Sequence, residues 1–264
     1  MQPILFKFDS IVVSSFALLS SLSFFIASLI FIINGLKRNL PLNKILGLVV
    51  CVNISGIVGS RLLFVLNNFS QFGDDPWLIF SISSGGYAFY GGFLFAFLSS
   101  VLYLKINQLP FGEILDIGSP SLAVGMIINK FGCFMAGCCY GKETTLAVGV
   151  QFPKISIPTL SYGFPHSIHP SQMYASVFGL LILIVLFWIN KYKRFSGQVF
   201  LSFVILFSLE RMLNLTQRGD IYNDILLGFP QSQFLGFVFM LLAFIVWVIL
   251  STRKTNNFKK HELV

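Results

Sequence analysis

The stretch IVVSSFALLSSLSFFIASLIFIIN, residues 11–34, contains no charged side chain. About 20 apolar residues suffice to cross the hydrocarbon core of a bilayer, so this segment reads as a membrane span. It is too long for the apolar region of a cleavable signal peptide, and it lacks a basic leader and a small-residue cleavage site. Working outward, six further apolar segments lie near 45–67, 87–105, 112–130, 171–190, 197–215 and 232–251. Composition agrees: 55% of residues are hydrophobic and 11% are charged, whereas soluble domains carry about 25% charged residues. The expected fold is all-α: a polytopic membrane helix bundle of about seven transmembrane helices. A single bundle would cover 1–251, followed by a basic tail, 252–264. The segment PWLIFSISS (76–84) is too short to cross and is expected at the interface.

The formal net charge is +8, but its distribution argues against a nucleic-acid partner. Basic residues cluster in alternate short connections: Lys37, Arg38 and Lys44; Lys105; Lys191, Lys193 and Arg194; then Arg253, Lys254, Lys259 and Lys260 in the tail. The connection after the second segment carries Asp74 and Asp75 and no lysine or arginine. Cytoplasmic loops hold the excess of basic residues, which predicts an outer N-terminus and a cytoplasmic C-terminus. The connection near 131–170, and the one that begins with Arg218 and Asp220, then face outward.

Several charges fall at membrane depth, where each costs at least about 2.5–3.5 kcal/mol. They are Arg61 in GIVGSRLLFVL, Asp116 in GEILDIGSP, Lys130, and Glu210 with Arg211 in LFSLERMLN. Each reads either as a structural pair or span-end residue, or as part of a working site. The cations Arg61, Lys130, Arg211 and Arg218 face only Asp116 and Glu210, so the set reads as a site for an external anion. Lipid phosphate is the abundant anion in a bilayer, and the guanidinium fork suits it. The glycines in GGYAFYGG (85–92), with Gly132, Gly137 and Gly141, allow either close helix packing or backbone approach to a headgroup.

The stretch NKFGCFMAGCCYGK (129–142) places Cys133, Cys138 and Cys139 at C-x4-C-C spacing, unlike the usual zinc patterns. Apolar packing, a disulfide, and a metal site completed by His166 and His169 all remain open readings. In HSIHPSQMY (166–174), His169-Pro170 opens a helix, and Gln172 and Tyr174 can reach a cavity at headgroup level.

Taken together, GIVGSRLLFVL, GGYAFYGG, GEILDIGSPSLAVGMIINKFGCFMAGCCYGK, HPSQMY, RMLNLTQRGD and SQFLG resemble a prolipoprotein diacylglyceryl transferase. The resemblance implies a multi-pass transferase of the bacterial cytoplasmic (inner) membrane, with its active site toward the outer face and a role in lipoprotein biosynthesis. Such an enzyme moves the diacylglyceryl group of phosphatidylglycerol onto the lipobox cysteine thiol of a prolipoprotein signal peptide. Glycerol phosphate leaves, and no metal or organic cofactor is needed. Against the family pattern, Tyr90 stands where a histidine is expected, Lys130 where an arginine is, and Cys133 where an asparagine is. Phe16 replaces a tyrosine, and Ala175 and Leu215 replace glutamates. The resemblance assigns catalysis to Tyr90 and Arg211; a tyrosine is a poor base unless a cation such as Lys130 or Arg211 stands near it. It assigns substrate binding to Arg61, Gly91, Gly92, Asp116, Lys130, Gly132, Gly137, Gly141, His169, Gln172, Tyr174 and Arg218. These lie mainly in 85–92, 129–142, 166–174 and 210–220, expected to form one outward-facing site. The alternative is a non-catalytic or differently specific lipid-binding paralogue of the same fold.

Overall fold

A computed structural model of the chain describes residues 2–8, 11–72, 75–80, 86–154, 156–163, 165–220, 225–226 and 229–261. Its helices are α1 (Ser15–Lys37), α2 (Leu42–Asn67), α3 (Phe89–Ile106), α4 (Phe111–Ala136), the short α5 (Ile157–Tyr162), α6 (Ser171–Tyr192), α7 (Gln198–Leu215) and α8 (Gln231–His261). Among the described residues, α1, α2, α4, α6, α7 and Gln233–Thr252 of α8 are long and apolar enough to cross a membrane. The remaining expected span is present as the shorter apolar helix Tyr90–Ile106. The protein is a multi-pass helical membrane protein. Phe24, Phe25, Trp188 and Phe244 are each more than half exposed on these helices, as lipid-facing side chains should be.

Among the described residues, three two-stranded antiparallel ribbons supplement the helices. In the first, β1 (Ile4–Phe8) pairs with β2 (Ile11–Ser14). The first apolar segment therefore begins as a strand, and its helix starts at Ser15 rather than at Ile11. Ile11, Val12 and Val13 are β-branched and favour the pleated conformation, and the Ser14 hydroxyl then accepts the Ala17 N–H at 3.1 Å, as an N-cap does. The other ribbons pair β3 (Val150–Gln151) with β4 (Ser167–Ile168), and β5 (Ile225–Leu226) with β6 (Phe229–Pro230). Within 76–84, Pro76–Phe80 forms a 3₁₀ turn, and 81–84 lies outside the described residues.

The chain falls into two compact units, Ile32–Ile114 and Met1–Phe31 with Leu115–Val264. In the smaller unit α2 packs on α3 through glycines. A Cβ on Gly59 would lie 2.6 Å from the Gly91 carbonyl oxygen, and one on Gly92 would lie 2.9 Å from that of Gly56. Neither position tolerates a side chain without moving the helices apart. Arg61 on α2 donates to the Ile79, Gly86 and Leu78 carbonyls at 3.0, 3.1 and 2.5 Å. Its guanidinium lies 5.6–5.9 Å from the rings of Phe64, Phe72 and Tyr87.

The larger unit has a core of Ala123 from α4, Ile182 and Leu186 from α6, and Val199 and Phe203 from α7. Gly132 meets Leu19 of α1, and Gly179 meets Ile127 of α4. One polar interaction orders this unit. The buried carboxylate of Asp116 accepts Lys193 Nζ and the Gly197 N–H on one oxygen, both at 3.0 Å, and the Phe200 N–H on the other at 3.1 Å. A side chain of α4 thus caps the first turn of α7, where N–H groups lack helical partners and the dipole favours negative charge.

Removing one member of a buried ion pair costs about 3–5 kcal/mol. Lys193 keeps 20% of its side-chain surface exposed, so Asp116→Ala should sit at the low end, near about 3 kcal/mol. Asp116→Asn, which keeps an acceptor, should cost less. Thermal unfolding in detergent reads both, and unchanged melting for Asp116→Ala would remove this capping role.

Candidate functional site

α4 ends at Ala136, and the chain turns sharply. Gly137 has φ +79°, the left-handed conformation that glycine adopts without penalty. Its N–H and that of Cys138 both reach the Cys133 carbonyl, at 2.9 and 3.2 Å, which closes the helix end. Cys139 is also left-handed, with φ +58°, an uncommon conformation for a residue with a Cβ. Two side chains from the first turn of α6 fix this bend. The Ser171 hydroxyl donates to the Cys139 carbonyl at 2.6 Å, and Gln172 Nε2 donates to that of Cys138 at 2.7 Å.

The next residues are tied to two other segments by backbone hydrogen bonds. Gly141 N–H donates to His169 O at 3.1 Å, and His169 N–H donates to Lys142 O at 2.9 Å. Lys142 N–H donates to Gln217 O at 2.8 Å, and Gly219 N–H to Tyr140 O at 3.0 Å. Gly141 is required here, because an added Cβ would lie 2.6 Å from the His169 Cβ. The structure therefore brings together 129–142, 166–174 and 210–220. Segment 85–92 belongs to the smaller unit; Tyr90 is half-buried in the first turn of α3, and Gly85 lies outside the described residues.

Around this tie the charges differ from the sequence expectation. Arg218 has a carboxylate of its own: Nε and Nη2 donate to the two oxygens of Asp220, each at 2.8 Å. Asp116 pairs with Lys193, about 21 Å along α4 from Lys130 at the usual rise per residue. Glu210 is fully buried and accepts Asn214 Nδ2 at 2.8 Å, while the same nitrogen donates to Ser171 O at 3.0 Å. Arg211 lies over the Phe207 ring at 6.0 Å. Among the described residues, neither Lys130 nor Arg211 forms an ion pair.

His169 Nδ1 meets the Tyr174 hydroxyl at 3.0 Å, and His166 Nδ1 meets Glu143 at 3.3 Å. Neither histidine joins the cysteines in a metal-ligand group among the described residues. All four cysteines are free. The thiol of Cys139 is held well below the ordinary range by the Cys133 and Cys138 thiols, against its own burial, with Lys130 and Arg218 adding positive potential. The same thiol contacts push Cys138 upward.

Residues 3–249 match the family described as prolipoprotein diacylglyceryl transferase. The chain belongs to this family. It is 29% identical over 256 residues to the phosphatidylglycerol–prolipoprotein diacylglyceryl transferase of Clostridium tetani, covering 96% of this chain and all of that protein. The protein of the same name from Geobacter sulfurreducens is 28% identical over 97% of each chain. A second such transferase from Clostridium perfringens is 28% identical over 92% of this chain and 93% of its own.

For a diacylglyceryl transferase family member, the tie between Gly141, His169 and Gln217–Gly219 holds the loop after α4 against two others. Sequence reading missed Ser171 and Asn214, which complete its supports. A serine beginning a helix after His-Pro is a visible signal for the first. Nothing in the sequence pattern marks Asn214. Near these supports, Gln172 Oε1, Glu210 Oε2 and Asn214 Oδ1 are buried acceptors without a donor among the described residues. Such acceptors fit a bound water molecule.

Gly141→Ala should force His169 away and destabilise the chain by about 1–3 kcal/mol, the range for overpacking. Thermal unfolding in detergent would show this as a lowered midpoint. An unchanged midpoint would mean that the close approach at Gly141 is dispensable.

Proposed function

We propose that the chain transfers the diacylglyceryl group of phosphatidylglycerol to the lipobox cysteine thiol of prolipoproteins. The observation that supports this most directly is the position of Lys130. It is a half-buried cation on a membrane-length helix, has no ion pair among the described residues, and acts electrostatically at the bend that the three tied segments surround. A phosphate headgroup would supply the missing negative charge. The proteins named above as relatives act, by their names, on phosphatidylglycerol and prolipoproteins. On this reading the protein lies in the bacterial inner membrane with its N-terminus outside and the site toward the outer face.

In the reaction a thiolate sulfur attacks the terminal glyceryl carbon. A C–S bond forms and the C–O bond to phosphate breaks. Glycerol phosphate departs with the electron pair, and the thiol proton goes to a base. Lys130 and Arg211 are assigned to the phosphate, whose charge grows as the bond breaks. Tyr90 is assigned the thiol proton because it stands at the family's histidine position. Arg218 and Gln172 shape the site: one is held by Asp220 and the other holds Cys138. Asp116 acts at a distance, by fixing α7.

The decisive assay uses detergent-purified protein, phosphatidylglycerol and a lipobox peptide. The peptide should gain the diacylglyceryl mass, and glycerol phosphate should appear. Arg211→Ala and Lys130→Ala should each reduce the rate by at least about a hundredfold, the scale for losing a charge-stabilising group. Full activity in both variants would end the anion-site assignment. Folded protein that binds phosphatidylglycerol but yields neither product would indicate the non-catalytic or differently specific paralogue instead.

Tyr90→Phe removes only the phenol oxygen. Single-turnover transfer should fall by about 10²–10⁴-fold, the contribution of a positioned acid–base group, while lipid binding is retained. A variant with wild-type turnover would exclude Tyr90 as the base.

A further inference from the structure

We infer that Cys133, Cys138 and Cys139 form a three-thiolate site for a thiophilic d¹⁰ metal ion, with zinc(II) as the abundant example. The three sulfur atoms lie within 4.8 Å of one another. Tetrahedral zinc with bonds of about 2.3 Å places its sulfurs about 3.8 Å apart, so closure by about 1 Å completes the geometry. Small side-chain rotations cover that distance.

The backbone is arranged for this convergence. Cys133 sits on the last turns of α4 and is 5% exposed. The bend at Gly137 brings the next two cysteines back toward it, with Cys139 in the left-handed region at φ +58°. Apolar packing alone gives no reason for a cysteine in that conformation. An unusual dihedral persists when its surroundings over-determine it, often where a site needs it. Here Ser171 and Gln172 hold the carbonyls of Cys139 and Cys138 and leave both thiols on the Cys133 side.

Chemistry selects the class of ion. The group contains sulfur and neither carboxylate nor imidazole among the described residues, which favours soft ions over magnesium or calcium. Three thiolates with a divalent ion carry net negative charge. Lys130 and Arg218 act on Cys139 with the opposite sign. Three protein ligands leave a fourth position open, the arrangement that accepts a water or an external ligand.

The test uses the full chain purified in detergent with thiols kept reduced and oxygen excluded. Zinc is measured by mass spectrometry. After chelation, cadmium is titrated in while its ultraviolet thiolate charge-transfer band is followed. The expected result is a stoichiometric ion and a saturating band. The band should be lost in Cys138→Ser and in Cys139→Ser and kept in Cys51→Ser. Because a serine variant can fail to fold, the wild-type melting temperature is also measured with and without cadmium, and it should rise on binding. Reduced wild-type protein that takes up neither zinc nor cadmium overturns the site. So does metal-free protein whose intact mass is two hydrogens light, which would assign the cysteines to a disulfide.

Discussion

The backbone hydrogen bonds between Gly141 and His169, and between Tyr140–Lys142 and Gln217–Gly219, are the constraint on which the larger unit's site depends. They join three segments from different parts of the chain. Each segment follows or precedes a membrane-length helix, where the helical hydrogen-bond pattern stops and polar groups need new partners. Their pairing satisfies those groups, and it also sets where side chains stand. The helix-closing glycine, the left-handed Cys139 and the Ser171–Gln172 clamp follow from it, because the chain must leave α4 and reach the tie within a few residues. A loop held in this way keeps its side chains fixed without regular secondary structure.

The glycines divide by the same physical test. Gly59, Gly91 and Gly92 leave no room between α2 and α3, so their work is helix contact, as small residues do in membranes. Gly137 and Gly141 serve the bend and the tie. Their conformation and crowding come from the protein itself, and a headgroup is not needed to explain them. Charges divide similarly. Arg61 spends donors on three carbonyls, Asp116 caps α7, and Arg218 binds Asp220. An intramembrane charge is costly enough that the fold uses most of them.

The spans were legible because hydrophobic length survives any packing arrangement. Residues 171–190 became α6 (Ser171–Tyr192), and 197–215 became α7 (Gln198–Leu215), nearly to the residue. Ile11–Ser14 misled because an apolar β-branched run is compatible with strand or helix, and pairing with Ile4–Phe8 decides it. At the site, the cysteine stretch, His169 and Arg218 were visible as unusual residues, and their three segments do meet. Partnership was not visible. Asp220 lies two residues from Arg218, a spacing that brings side chains together only in a loop of suitable shape. Lys193 finds Asp116 across 77 residues of sequence. Contacts of that range depend on how α4 and α7 pack, and composition does not encode it.

What remains distinctive is the load on Lys130. Arg218 is already engaged by Asp220, so Lys130 is the cation beside the cysteines without an ion pair among the described residues. Lys130 adds positive potential at the Cys139 thiol, while on the proposed reading a phosphate headgroup would attract it elsewhere. Lysine suits such divided demand better than arginine, because its ammonium is a compact charge on a flexible stem, whereas the guanidinium fork works best in one fixed bidentate geometry. A divalent ion on the thiols would cancel part of their charge and loosen their claim on Lys130. On the proposed reading, a lysine at position 130 can shift between the sulfur group and a headgroup phosphate, which a guanidinium fixed in one bidentate geometry could not.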